Sequence, residues 1–265
     1  WPRDLFHVAV AMLYAGDLEI PFHALSFLKK IQFQEGEWTY GNRTIKRKGA
    51  FPQNAWLDGT PYWDGLQIDQ VGYPIHLFYH LWKVSSDNDR KVLEQKFLPM
   101  VKNALAYIKR EGVWTAQERW EENPGISPSS FAVATSALIV GDLFFPKMGL
   151  KTLAHRWLYR PNDNIHTWAY TTSGSFGEGR YYLRVAGCSS FEALWDPNAD
   201  ELCTVANSWN RVNQKSFLDQ GFLKLSLMGL VPSGDDRIES SLVLVNEYNK
   251  SSTPQGEGWH RYLHD

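Results

Sequence analysis

Apolar residues recur at helical spacing along most of this chain, and that recurrence restricts its fold more than any other feature. The first such stripe covers 5–14 and is closed by Gly16, at the position where a left-handed helix cap falls. A second runs over 21–31 and opens on Pro21, a residue favoured in a first helical turn. Further stripes cover 65–82, 88–110, 128–140, 150–158, 215–228 and 235–248. Pro74 is expected to kink the third or to fall near its first turns, and Pro99 disturbs the fourth, so either helix is open to division into two pieces. Ser127 is placed to cap the fifth. The run Tyr181-Tyr182-Leu183-Arg184-Val185 predicts a strand, while 36–50 predicts an exposed basic loop or short hairpin with a solvated face. Helical pairs joined by loops of unequal length predict a mainly helical domain with elaborate loops on one side. Neither a repeat nor a Pro/Gly/Ser-rich linker divides it.

The chain has 265 residues, with 27 Lys and Arg against 29 Asp and Glu, a net charge of −2. That balance argues against a nucleic-acid partner, which would call for a strong basic excess. No apolar run reaches the roughly 18 residues of a membrane span. Cys188 and Cys203 are too few for a disulfide framework or a four-cysteine zinc site and are expected to be structural thiols, even if close in space. Tryptophan is the outlier, at 12 residues against a usual frequency of about one in a hundred. Part of that surplus fills core, but flat amphipathic rings also suit a surface on which sugars stack. Both ends look cut from something longer: the chain begins in the first helical stripe and stops in an aromatic, ionisable stretch.

Four segments combine large rings with planar polar groups. The densest is Gln117-Glu118-Arg119-Trp120-Glu121-Glu122-Asn123-Pro124-Gly125, a loop bounded by its proline and glycine. Glu121 and Glu122, if extended, point to opposite sides, so only one faces a given pocket. A carboxylic acid beside a Trp ring is desolvated, which raises its pKa and suits a general acid. A solvated acidic loop is the plainer alternative. Trp1-Pro2-Arg3-Asp4 sets a guanidinium beside a carboxylate at a helix start, a pairing able to grip sugar hydroxyls. The stretch 52–65 brings Trp56, Tyr62 and Trp63 among amides and carboxylates, and Trp259-His260-Arg261-Tyr262 repeats the recipe. Such a set fits a polyhydroxylated ligand better than a charged one. The chain lacks the G-x-S-x-G, H-E-x-x-H and G-x-x-x-x-G-K-[ST] signatures, which excludes the serine hydrolase, zinc peptidase and nucleotide-dependent classes that need them. His155, His166 and His260 are scattered and suggest no metal site.

The segments WPRDLFHVAVAMLYAGD, FPQNAWLDGTPYWDGLQIDQ, QERWEENPGISPSSFA, YYLRVAG with the later DPNAD, and TPQGEGWHRYLHD resemble glycoside hydrolase family 15. The likeness is to its bacterial and archaeal branch, the glucoamylases and glucodextranases, and runs through nearly the whole chain in order. It implies an all-α (α/α)6 barrel, with 1–265 as the central portion of one catalytic domain. A β-rich N-terminal domain and the closing barrel helices would lie outside the chain. It also implies inverting, exo-acting release of glucose from non-reducing ends of α-glucans.

Carried over residue by residue, the resemblance makes Glu121 the general acid and Glu122 its glucose-bonding neighbour. Arg3, Asp4 and Arg261 would grip the terminal glucose, Trp1, Trp120 and Trp259 would wall the pocket, and Trp56, Tyr62 and Trp63 would serve the next subsite. Inversion needs a second carboxylate as base, about 6.5–9.5 Å from the acid. The family's base lies downstream of the W-x-R-Y-x-H-D motif in which this chain ends, so it would lie outside. Glu257 and Asp265, the carboxylates near the end, have no claim to that role. The stretches 32–51 and 188–195 look longer than the family pattern. No cofactor is expected, although the resemblance allows a structural calcium ion. Partners would be α-glucans, with neither nucleic acid nor membrane. Alternative readings are a non-catalytic sugar-binding protein on the same scaffold and a trehalase or glucosyl-transferring relative. Polymeric glucans lean the location towards the cell exterior, as do sequons at Asn42 and Asn249.

Overall fold

A computed structural model describes residues 1–265 except 42, 64, 189–194, 207 and 265. Asn42 of the first sequon, Asp64 of the 52–65 stretch, Asp265 and most of the 188–195 stretch therefore lie outside the described residues. The chain divides into two compact units. One comprises Trp1–Val113 and Val133–Ala154, and the other Trp114–Ala132 and His155–Asp265.

The first unit is built on helical hairpins. Helices α1 (Pro2–Tyr14), α2 (Glu19–Ile31), α3 (Ile68–Val84) and α4 (Asp87–Glu111) form at the expected stripes. Gly16, at φ 94°, supplies the left-handed turn that ends the first hairpin arm. Helix α1 packs on α2 and α3, and α3 on α4, burying Phe6, Leu25, Leu28, Phe78, Phe97 and Leu105. Pro74 falls within the first two turns of α3, one of the two placements expected, and neither it nor Pro99 divides its helix, since α3 and α4 each run through unbroken. A prolyl ring removes one ladder bond, and in α3 the burial of every residue from Ile68 to Phe78 outweighs that loss. The basic stretch folds as a hairpin of β1 (Glu37–Tyr40) and β2 (Arg43–Lys46). Its charge is not simply solvated: Arg43 pairs with Glu111 at 2.9 Å, and the Arg47 guanidinium lies 3.5 Å over the Phe33 ring. Strands β3 (Asn54–Ala55) and β4 (Pro61–Trp63) pair with a register shift and lead into α3.

Helices α5 (Pro128–Asp142) and α6 (Leu150–Tyr159) fall at the expected places. In the second unit, α7 (Ile165–Ala169) was not foreseen, although Asn164 and Thr167 form the reciprocal cap that opens it. The anticipated strand is shorter than its pattern: β5 (Tyr170–Thr171) pairs only with β6 (Tyr181–Tyr182). The expected helix over 215–228 does not form as one piece. Two 3-10 turns, Gln214–Ser216 and Gln220–Phe222, precede a short α8 (Leu223–Leu227). Asp219, in extended geometry, breaks it by accepting the Gly221 N–H and turning its carboxylate to Arg119 and Trp120. Between β6 and α8 lies the hairpin β7 (Leu202–Thr204) and β8 (Arg211–Asn213). Helix α9 (Asp236–Tyr248), capped by Asp235, matches its expected stripe to within one residue. It is followed by β9 (Lys250–Thr253) and β10 (Gly256–Trp259), so Trp259 closes a hairpin where a loop was expected.

Cys188 and Cys203 are joined in a disulfide, which corrects the expectation of free thiols. Their separation of 15 residues closes a loop whose entropy in the unfolded chain is worth roughly 3 kcal/mol. The bridge lies in a buried cluster with Val185, Val205, Phe217 and Tyr262, against which Trp120 packs. Peptide mapping of the full-length protein without reduction should therefore yield a Cys188–Cys203 linked pair, and a reductant should lower the melting temperature. Alkylation of both cysteines in unreduced protein would contradict the bridge.

Candidate active site

The carboxylate loop of the second unit is closed at its base by paired backbone bonds between Thr115 and Gly125, each 3.0 Å. Gly125 is obligatory there: its φ is 132°, and a Cβ would stand 2.4 Å from the Ala186 carbonyl oxygen. Within the loop the Glu118 N–H donates to Asn123 at 2.9 Å, and the Glu121 N–H donates to the Glu118 carbonyl at 2.8 Å. The Glu118 carboxylate accepts the Trp120 N–H at 2.8 Å and lies fully buried. It is the internal tie of the loop, a part the sequence did not assign to it.

Glu121 is not extended as expected. It occupies the left-handed region at φ 66°; both residues are partly exposed as a whole, and the Glu122 side chain is completely buried. The left-handed turn at Glu121 thus immediately precedes the enclosed Glu122 carboxylate. Arg184 donates through Nη2 to Glu118 at 2.6 Å and to Glu122 at 2.8 Å. Its guanidinium sits 4.0 Å over the Tyr262 ring. The Tyr262 hydroxyl lies 2.9 Å from both Glu122 oxygens and accepts the Ala206 N–H at 2.8 Å. The desolvated carboxyl beside Trp120 is Glu118: burial pushes it up from its usual range, and Arg184 pulls it part of the way back. Burial also opposes the charge on Arg184, but Glu118 and Glu122 outweigh it and hold its pKa above the usual arginine value. Tyr262 is pushed up to about 12, first by burial, so its hydroxyl keeps its proton at neutral pH.

Trp120 is pinned by its indole N–H, which donates to Asp219 at 2.6 Å. Arg119 pairs with the same carboxylate at 3.0 Å and lies 4.4 Å over the Trp120 ring, and Arg261 approaches that ring to 5.3 Å. The structure thus brings Trp120, Glu121, Glu122 and Arg261 into one neighbourhood. Trp259 has its indole N–H on Asn246 and its ring beside Lys250.

The remaining candidates belong to the first unit. Arg3 donates to Gln67 and to the buried Asp69, both at 2.8 Å, and its backbone N–H reaches Gln70. The start of α3 therefore holds that guanidinium in place. Asp4 is exposed on a groove of about 500 Å³ whose walls include Trp1, Val8, Phe27 and Leu57. Trp1 meets Trp63 edge-on at 5.9 Å, Trp63 meets Tyr62 at 5.1 Å, and Tyr62 meets Trp56 at 5.1 Å. All four rings are about half exposed, so a continuous aromatic platform adjoins the Arg3–Asp4 pair.

Sequence reasoning missed Gln67, Asp69, Gln70, Glu118, Arg184 and Asp219 as parts of these groups. Arg184 and Asp219 did carry a signal: a lone charge inside an apolar run requires a buried partner. Among the described residues no group of three or more His, Cys, Asp or Glu could hold a metal ion, and no helix is long and apolar enough to cross a membrane.

A model of the glycosyl hydrolases family 15 matches residues 1–265. A glucoamylase from a Clostridium sp. is 33% identical over the whole of this chain, which covers 34% of that relative. An uncharacterized glycosyl hydrolase of Methanocaldococcus jannaschii is 25% identical over 53% of the chain, or 20% of its own length. A crystal structure of a bacterial glucoamylase complexed with acarbose superimposes with a TM-score of 0.81 at 33% identity, over 100% of this chain and 36% of the other. The expected fold class, the (α/α)6 barrel, is borne out by that match. The chain spans about a third of the length of the glucoamylases it matches.

Proposed function

The chain belongs to glycosyl hydrolase family 15, and from that premise we propose that it is part of an inverting, exo-acting glycosidase that releases glucose from the non-reducing ends of α-glucans. The observation that carries this reading is the arrangement at residues 121 and 122. Glu121 takes a left-handed turn beside a pinned Trp ring, while the carboxylate of its neighbour Glu122 is locked inside by Arg184 and Tyr262.

Glu121 acts as general acid and protonates the departing glycosidic oxygen as the anomeric carbon gains oxocarbenium character. Trp120 and Trp259 supply apolar faces for sugar rings in the second unit, and Arg261 donates to sugar hydroxyls. Glu122 supports that grip from the buried side of the loop. In the first unit, Arg3 and Asp4 bond sugar hydroxyls and Trp1 gives an apolar wall. Arg3 is pre-oriented by Gln67 and Asp69, which lowers the entropy lost when a sugar binds. Trp56, Tyr62 and Trp63 stack a further glucose unit. A base contributed from elsewhere in the protein activates water on the opposite face. The Cys188–Cys203 bridge supports an oxidising, extracellular setting for this chemistry.

The test is proton NMR of the full-length protein acting on maltose and isomaltose. β-Glucose should appear first and mutarotate afterwards, and the faster substrate identifies the preferred linkage. Initial release of α-glucose, or no release from either, would overturn the proposal.

A further inference from the structure

The interior of the carboxylate loop is tied to distant parts of the chain. Glu122 receives hydrogen bonds from groups that lie far away in the chain: Arg184, 62 residues distant, and Tyr262, 140 residues distant. The Tyr262 hydroxyl has two engagements at once, accepting the Ala206 N–H and donating towards Glu122, so its direction is set. Its ring is buried against the disulfide cluster, with Arg184 stacked on one face. The ring supplies packing, and the hydroxyl adds directional hydrogen bonds that packing does not provide.

We propose that Tyr262 and Arg184 are positioning residues of the glycosidase, acting through Glu122 to hold the turn that presents Glu121. The inference rests on the reading of Glu121 as the acid. Arg184 binds both carboxylates that flank that turn, Glu118 before it and Glu122 after it, through a single nitrogen. Tyr262 then fixes the Glu122 carboxylate from a second direction. With the turn held from both sides, the backbone at Glu121, and so the direction of its Cα–Cβ bond, stays fixed. Small displacements of a reacting group cost about 100-fold in rate, so rigid support at this point has a kinetic consequence.

Tyr262→Phe in the full-length enzyme keeps the buried ring and deletes only the hydroxyl. Turnover of maltose by the folded protein should fall by about 10- to 100-fold with KM changing little, and the melting temperature should drop modestly because the buried Glu122 carboxylate loses a donor. In a cycle with Glu122→Gln, the double variant should lose little beyond Glu122→Gln alone, because Tyr262 acts through that carboxylate. Arg184→Lys, which keeps the charge but loses the planar fork, provides a second arm and should lower kcat with most of the folded protein retained. Wild-type kcat in Tyr262→Phe, losses that multiply in the cycle, or activity that falls only in step with the folded fraction would each overturn the proposal. Glu121→Gln serves as the separate control: if it retains turnover the acid assignment fails, whatever Tyr262→Phe does.

Discussion

Glu121→Gln in the full-length protein should lower kcat on maltose by about 10²- to 10⁴-fold with KM nearly unchanged, the range that a single proton-transfer group contributes. The amide has the same size and planarity but carries no transferable proton. Glu121 already sits in a left-handed turn held by its own N–H to the Glu118 carbonyl, and that backbone bond survives the substitution. Binding should therefore persist where the proton does not. The discriminating measurement uses a substrate with a good leaving group, such as an activated aryl α-glucoside, which needs little protonation. Glu121→Gln should recover much of its lost rate there. Equal losses on both substrates would assign Glu121 a role other than acid.

The second large effect is on stability. Arg184→Met replaces a buried cation by an apolar chain of similar length and leaves Glu118 and Glu122 facing each other without it. Removing one partner of a buried ion pair costs about 3–5 kcal/mol, because the remaining charge stays desolvated. For a domain of this size that corresponds to a melting-temperature drop of roughly 6–20 °C. The deficit has a predictable pH dependence. Burial already raises the Glu118 carboxyl above its ordinary value, and loss of Arg184 raises it further. A group with a raised folded pKa stabilises the fold below its unfolded pKa and loses that contribution as pH rises through the folded value. The gap between wild type and Arg184→Met should therefore be widest near neutrality and narrow below about pH 4. Calorimetry of both proteins across that range is the measurement. A gap independent of pH would mean that lost packing, not unpaired charge, causes the deficit.

Some of this was legible in the chain because its causes are local. The stripes of α1, α2 and α9 name their own helices, and Gly16 and Asp235 mark their ends through backbone chemistry that involves only near neighbours. The bounded segment ending in Pro124 and Gly125 declared itself a loop for the same reason. The 215–228 stripe misled because Asp219 answers to Arg119 and Trp120, 100 and 99 residues away, and a periodicity argument cannot see such a claim on a side chain. The prolines of α3 and α4 left division open where none occurs, since burial along α3 overrides a local penalty.

The candidate site divides along the same line. That Glu121 and Glu122 are chemically prominent, that Trp120 adjoins them and that Arg3 stands beside Asp4 can be read from adjacency alone. Which glutamate takes the left-handed turn, which is sealed against Arg184 and Tyr262, that Gln67 and Asp69 orient Arg3, and that Cys188 bonds Cys203 were decided by the tertiary structure. Periodicity and turn chemistry depend on residues a few positions apart and are written in order along the chain. Burial and the pairing of charges depend on which distant segments share a low-dielectric interior, and only the folded chain specifies that choice.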